Sequence, residues 1–339
     1  MSSDKKPYVI AEIGSNHNGD FNLALKLIDM AALAGANAVK LQKRNNKTLF
    51  TEEMYNRPYE GYGPTYGKHR EALEFDFPQF VEMKAYAEEK GLDFFATPFD
   101  VDSVEFLEKL GVIQYKVASA SVTNQVLIKA IAETGKPVIM SGGGQSFSAI
   151  GRAVGYLDVN KLALLHCVAA YPCPPEMMNL LRIPALHGLF HCRVGLSDHQ
   201  DGIALGAAAY ALGARVFEKH ITLDHSAKGT DHPFSLEFYG LSQYIKYLNQ
   251  TAVALRWHEQ PMKAEIAPVQ KMGQSLYWSR TIPAGRRIQE EDIAIQSPQV
   301  SGALYPTPMN LAAMRNRVLT KMVNKGEPVT WGAITGNAG

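Results

Sequence analysis

Cysteine is scarce in this chain: Cys167, Cys173 and Cys192 are the whole supply among 339 residues. An odd number without paired spacing argues against a disulfide framework or a thiolate zinc site, and suits a reducing, cytoplasmic setting. Long apolar runs are missing too. No stretch approaches the roughly 18 residues that a membrane span needs, and the run after Met1-Ser2-Ser3-Asp4-Lys5-Lys6-Pro7 is too short for a secretory leader. Nor is there an excess of one charge: 34 Lys and Arg face 33 Asp and Glu, a net +1. Bulk electrostatics therefore gives no route to nucleic acid or a membrane, and an anionic ligand must be held by a local group of cations.

What the sequence does have is a rhythm. Short apolar segments recur at Tyr8–Ile13, Ala38–Gln42, Asp93–Pro98, Gln114–Ala118, Pro137–Ser141, Leu162–Val168, Val194–Ser197 and Arg215–Ile221. Amphipathic stretches such as Phe21–Ala34, Phe80–Lys90, Val101–Leu110 and Gln125–Thr134 lie between them. Gly35, Gly91, Gly111, Gly135 and Gly213 stand where such helices should stop. Strands alternating with helices mean parallel α/β architecture, and eight is the number that closes a (β/α)8 TIM barrel. An open doubly wound sheet would want a Gly-rich phosphate fingerprint after its first strand, and none is there. The pattern changes near residue 258. The expected organisation is a catalytic barrel over 1–262, a linker over 263–272 where helical character fades, and a small, irregular domain over 273–339. A unit of that size should pack on the barrel or on a partner chain.

Barrels keep their chemistry at the C-terminal ends of their strands, and here those ends are polar. Glu12, Lys40 with Gln42, Thr97, Lys116 with Ser119, Ser141, His166, Ser197 with His199, and Glu218 with His220 follow strand by strand. Strand side chains alternate faces, so each i, i+2 pair shares one. Two imidazoles on neighbouring strands leave much of a metal's coordination open, as a Lewis acid requires, and the lack of a thiolate cluster favours Mn²⁺ or Mg²⁺. Polar residues filling barrel layers are the plainer alternative. Lys40 and Lys116, with Ser119, Ser141 and Thr97, can cradle phosphate and carboxylate together; internal ion bridges, for instance with Glu12, are the competing reading. Schiff-base chemistry at Lys116 is a further option. Cys167 reads as a small hydrophobe before it reads as a nucleophile.

The motifs resemble the sialic acid (N-acetylneuraminate) synthase family. The resemblance is carried by Ala11-Glu12-Ile13-Gly14 with Asn16-His17, Lys40-Leu41-Gln42, Ala96-Thr97-Pro98-Phe99 and Tyr115-Lys116. It continues through Leu165-His166-Cys167, Tyr171-Pro172, Gly195-Leu196-Ser197-Asp198-His199, Glu218-Lys219-His220 and Lys228-Gly229-Thr230-Asp231-His232. It runs in order from about residue 8 to 240 and resumes over Arg280–Val329 as an antifreeze-like (SAF) β-clip domain. It implies condensation of phosphoenolpyruvate with the open-chain aldehyde of N-acetylmannosamine or a related hexose, giving a nine-carbon 2-keto-3-deoxy sugar acid and phosphate. It also implies metal ligation by His199 and His220, and a phosphoenolpyruvate site of Lys40, Lys116, Ser119, Ser141 and Thr97. Glu12, Asp231, Gln42 and Tyr171 would meet the sugar, Glu218 and Ser197 would complete the reacting centre, and the C-terminal domain would act in a swapped homodimer.

Departures cluster on the sugar side: Ala120-Ser121, Ala169-Ala170, and Ser297-Pro298-Gln299 where the bacterial enzymes carry an Arg-containing stretch. The loop after the second strand, with Arg57-Pro58-Tyr59 and Thr65 to Arg70, resembles the vertebrate synthase that takes the sugar 6-phosphate. Its cations Lys43, Arg44, Arg57, Lys68 and Arg70 are candidate phosphate readers, against the alternative of a solvated loop. A legionaminic, pseudaminic or deaminated product is the rival within the class. A non-catalytic sugar-binding protein is the rival outside it.

Overall fold

The computed structural model describes residues 6–334. Eight parallel strands make one sheet: β1 Tyr8–Gly14, β2 Ala38–Lys43, β3 Asp93–Pro98, β4 Tyr115–Val117, β5 Val138–Ser141, β6 Leu162–Cys167, β7 Arg193–Asp198 and β8 Val216–His220. The ladder order is β3-β2-β1-β8-β7-β6-β5-β4. Pairing of β1 with β8, in register from Tyr8↔Val216 to Glu12↔His220, curls the sheet on itself until its two ends, β3 and β4, come into contact. The result is a nearly closed (β/α)8 barrel. Strands covered on both faces should be apolar throughout, and β6 is buried along its whole length.

The helices begin and end as their sequences dictate. Asp20 accepts from the Asn22 and Leu23 amides to start helix Phe21–Ala34, and Asp100 accepts from Ser103 at 2.8 Å to start Val101–Leu110. All five expected glycine stops have positive φ, from 67° at Gly135 to 107° at Gly213. Leu27, Ile28, Phe80, Met83, Leu107 and Ile131 bring the inner helix faces onto the strands in a single core.

The long connection from β2 to β3 holds three short helices, Asn46–Leu49, Glu52–Asn56 and Tyr66–Ala72, before helix Phe77–Glu89. It is tied to the loop after β8: Tyr62 Oη donates to the Lys228 carbonyl at 2.6 Å, and Lys228 Nζ donates back to the Gly61 carbonyl at 3.0 Å.

Contacts divide the chain into two compact units, Met1–Arg256 and Trp257–Gly339. The second has its own small core of Leu276, Trp278, Ile282, Leu304, Leu319, Val323 and Val329. Its regular structure is slight: β9 Ser275–Trp278 pairs antiparallel with β10 Ile293–Gln296, and isolated bridges hold the rest. The segment expected as a linker, 263–272, carries a helix, Lys263–Met272, with no buried side chain. Its apolar period is weak and Pro268 removes a donor, which is why the helix is not visible in the sequence.

Candidate active site

The polar strand ends converge, except at His166, whose Nε2 is taken up by the Met178 carbonyl and which does not line the cavity. A cavity of about 580 Å³ opens at the C-terminal end of the barrel, lined by Glu12, Lys40, Gln42, Thr97, Lys116, Ser119, Ser141, Tyr171, Ser197, His199, Glu218, His220, Arg70 and Asp231. Each i, i+2 pair points inward together. The residues between them, Asp198 and Lys219, point the other way and make a fully buried ion pair at 3.0 Å.

At the floor, charges alternate. Lys40 Nζ lies 2.7 Å from Glu12 and 3.6 Å from Glu218, and donates to Thr97 Oγ1 at 2.9 Å. Lys116 Nζ donates to Ser141 Oγ at 2.7 Å and lies 3.8 Å from Glu218. The ion-bridge reading of the lysines is therefore met in the structure, within the cavity that the cradle reading requires. Burial raises Glu12 to about 6, with the Glu218 charge adding and Lys40 opposing. Burial would also raise Glu218, but Lys116, Lys40 and the Ser197 hydroxyl at 2.9 Å hold it down at about 2. One oxygen of each carboxylate, Oε2, is buried without a hydrogen bond. Glu12 Oε2 is nonetheless the oxygen 2.7 Å from Lys40, so the capacity to accept from a bound molecule lies with Glu218 Oε2, 3.6 Å from that ammonium.

Two local features shape this floor. The β1 register shifts between Glu12 and Gly14, and Gly14 sits at φ +57°, where a Cβ would come within 3.3 Å of Glu12 and the His220 ring. Gly143 lets the backbone after β5 close in: its amide donates to Ser119 Oγ at 2.9 Å, and a Cβ there would collide with that oxygen and with Cys167. Cys167 is buried and its thiol is pushed up by that burial, which suits the small-hydrophobe reading.

The two histidines sit side by side, ring centroids 5.6 Å apart. His199 shares its Nδ1 with the Val168 carbonyl at 2.8 Å, which sets the tautomer and leaves the lone pair on Nε2. His220 Nδ1 is buried with no hydrogen bond and lies 3.9 Å from Asp231. Burial, then the neighbouring ring, pushes His199 down to about 4; burial lowers His220 as well. Neutral imidazoles with an unengaged lone pair are what a divalent cation needs. Among the described residues, no group of three or more His, Cys, Asp or Glu is arranged to hold a metal ion.

Sequence reading and structure part at the β2–β3 connection. Arg57 is exposed at the end of helix Glu52–Asn56 and does not line the cavity. Its carbonyl instead accepts from the Tyr66 amide at 2.9 Å. Lys68 pairs with Glu71 and Lys43 with Glu74, each at 2.8 Å. Only Arg44 and Arg70 of that set reach the cavity. Phe99, Ala118 and Thr230, which lie in or beside the quoted motifs and strands without being read as site residues, also line it; so does Gln145, which escapes sequence reasoning because a lone loop residue carries neither period nor pairing.

A (β/α)8 barrel whose mouth gathers paired lysines, paired carboxylates and two neutral imidazoles defines a barrel enzyme that binds anionic substrates. The chain belongs to the NeuB family, whose profile matches residues 27–260, and it carries a SAF domain over residues 273–335. It is 37% identical over 307 residues to the N-acetylneuraminate-9-phosphate synthase of Homo sapiens, covering 88% of this chain and 85% of that one. It is 34% identical over 324 residues to the N,N'-diacetyllegionaminic acid synthase of Campylobacter jejuni, covering 92% and 97%. The N-acetylneuraminic acid synthetase of Leptospira borgpetersenii, solved in complex with citrate, superposes with a TM-score of 0.68 at 34% identity, over 78% of this chain and 90% of that one.

Proposed function

We propose that this protein condenses phosphoenolpyruvate with the open-chain aldehyde of a hexosamine, releasing phosphate and a nine-carbon 2-keto-3-deoxy sugar acid. The observation that carries the reading is the alternating Glu12–Lys40–Glu218–Lys116 cluster lying under two neutral histidines. Phosphoenolpyruvate brings a carboxylate and a phosphate, and Lys40, Lys116, Ser119, Ser141 and Thr97 supply the cations and hydroxyls to hold both. Gln42, Tyr171 and Asp231 orient the sugar. The C2=C3 electron pair of phosphoenolpyruvate forms the new bond to the aldehyde carbon. Glu12 and Glu218 stabilise the positive charge left at C2. Water adds there, and phosphate leaves with cleavage of its C–O bond. A divalent cation, Mn²⁺ or Mg²⁺, held by His199 and His220 would polarise the aldehyde oxygen.

We assign residues 1–262 to the barrel and 273–339 to a SAF domain that serves a partner subunit in a homodimer, acting in the cytoplasm. No helix among the described residues is long and apolar enough to cross a membrane. A legionaminic-type product remains the second reading, supported by the Campylobacter relative. The test is phosphate release from phosphoenolpyruvate across a panel of hexosamines in ¹⁸O-labelled water, with and without chelator. Metal-dependent release of unlabelled phosphate is expected. Label in the phosphate would mean P–O cleavage and sink the mechanism, and full activity in excess chelator would remove the metal.

A further inference from the structure

Two loops bordering the mouth of the cavity grip each other. One is the connection from β2 to β3, whose helix Tyr66–Ala72 brings Arg70 to the cavity; the other follows β8 and brings Thr230 and Asp231. Tyr62 Oη donates to the Lys228 carbonyl at 2.6 Å, and Lys228 Nζ donates to the Gly61 carbonyl at 3.0 Å. The same ammonium lies 5.3 Å from the centre of the Tyr62 ring. Behind this clasp stands His69. Its ring stacks on Tyr62, centroids 5.7 Å apart and planes 14° from parallel, and its Nδ1 accepts from the Tyr62 amide at 3.1 Å. Burial, then the charges of Arg70 and Lys228, lower the His69 pKa and favour the neutral ring that an accepting nitrogen requires. The loop wraps this ring too closely for side chains: a Cβ on Gly61 would collide with His69 Nδ1 and the Tyr59 ring, and one on Gly63 with the His69 amide.

Lys228 is followed by Gly229, Thr230 and Asp231, and His232 then anchors the far end. Its ring is bonded through Nδ1 to Thr222 Oγ1 at 2.7 Å and through Nε2 to Asn18 Oδ1 at 3.3 Å. Gly229 has φ +152° and packs so tightly that a Cβ would meet the His232 ring at 2.7 Å. Asp231 is thus carried on a short strap, residues 229–231, pinned at both ends. Burial would raise the Asp231 pKa, but His220, Thr230, Ser15 and the charge of Arg70 together hold it low. The carboxylate is therefore sensitive to both loops: the strap carries it, and the β2–β3 connection brings the Arg70 charge that it feels.

We infer that Tyr62, Lys228 and His69 are positioning residues for the acceptor: their clasp fixes the strap over residues 229–231, and with it the Asp231 carboxylate, at the mouth of the barrel. This rests on the condensation reading, in which Asp231 orients the sugar, and deepens it. None of the three lines the cavity, so their effect reaches the sugar through Asp231. Phosphoenolpyruvate is held by strand ends on which the clasp does not bear, and its binding is independent of the clasp.

The test measures the KM for each substrate in phosphate release, using the better acceptor of N-acetylmannosamine and its 6-phosphate. Tyr62→Phe deletes one hydrogen bond and leaves the ring stack, so the acceptor KM should rise roughly three- to tenfold, the factor that one such bond carries. The KM for phosphoenolpyruvate should stay where it is. Lys228→Met keeps the stem and loses the ammonium, and should act the same way; Lys228→Arg, which still has a donor for the Gly61 carbonyl, should restore most of the loss. Hydrogen exchange without substrate reads the loop directly. The amides of Asp224, Ser226 and Ala227, all hydrogen-bonded in the wild type, should exchange roughly threefold faster or more in Tyr62→Phe. An acceptor KM unmoved in both Tyr62→Phe and Lys228→Met overturns the inference, and so does an equal rise in both KM values, the mark of a general loosening. Exchange unchanged across residues 224–232 overturns it too. No turnover by the wild type with either sugar would instead bring down the condensation reading and the acceptor role resting on it, with the exchange result still deciding whether the clasp holds the loop.

Discussion

Lys116 joins a proposed binding role to a structural one. It is buried, donates to Ser141 at 2.7 Å, and helps hold the Glu218 carboxylate ionised. Removing an ammonium from such a cluster leaves a buried carboxylate undercompensated, which costs roughly 3–5 kcal/mol where no other cation steps in. Lys40 lies 3.6 Å from Glu218 and can take part of the load, so Lys116→Ala should lose about 2–3 kcal/mol in urea unfolding. Its KM for phosphoenolpyruvate should rise by roughly tenfold or more, the loss of one charge-assisted contact. An unchanged KM with lowered kcat would move Lys116 out of substrate binding. At this scale the sequence is informative wherever a strand imposes its period of two. Lys40 with Gln42, Ser197 with His199 and Glu218 with His220 are readable as inward pairs because a strand leaves no other option. Arg57 is not, because three short helices decide which side of their loop faces the barrel, and no local period records that choice.

Strands β7 and β8 deliver the two histidines, and their ends are locked together from behind. Asp198 precedes His199 and Lys219 precedes His220, and the pair meets at 3.0 Å with both side chains wholly buried. Asp198 also accepts from the Gln200 amide at 2.9 Å, and Lys219 donates to the Gln200 carbonyl, so the turn beyond His199 is held by the same two charges. Asp198→Asn should therefore cost roughly 3–5 kcal/mol in denaturant unfolding, because an ammonium is left buried without its carboxylate. The double change Asp198→Leu with Lys219→Met should recover most of that stability while leaving the histidine turn unanchored and activity low. Additive losses in the double variant would show that the pair does not act as a unit. Elements are the most legible level of this chain. Helices Phe21–Ala34 and Val101–Leu110 keep their sequence-read bounds, since an Asp cap and a glycine stop mark both ends. Helix Lys263–Met272 is hidden because it buries nothing, so no apolar stripe announces it.

At the scale of the molecule, the two units each carry a core, but they differ in what they hold. Every residue that lines the candidate active site belongs to Met1–Arg256. A SAF domain joined to a complete barrel needs a reason to be there, and the proposed one is service to the cavity of a partner subunit. The arrangement makes a prediction that no monomeric or cis scheme shares. A fragment ending at Arg256 should keep a cooperative thermal transition, because the barrel's apolar core is entirely its own. Its condensation rate should fall by roughly tenfold to a thousandfold, the range seen when a part that completes or closes a site is lost. Full-length His220→Ala should be inactive for the opposite reason: its C-terminal domain is intact and its proposed metal ligand is gone. Mixed and allowed to exchange subunits, the two defective proteins should regain activity, since an intact barrel then meets an intact domain from the other chain. One such productive pairing per heterodimer limits recovery to about a quarter of the wild-type rate when exchange is random and complete: half of the dimers are mixed, and each has one working site of two. Phosphate release from the mixture, measured against each protein alone, reads the result directly. A mixture no more active than the sum of its parts, with heterodimers present by mass, would place the domain's action within its own chain.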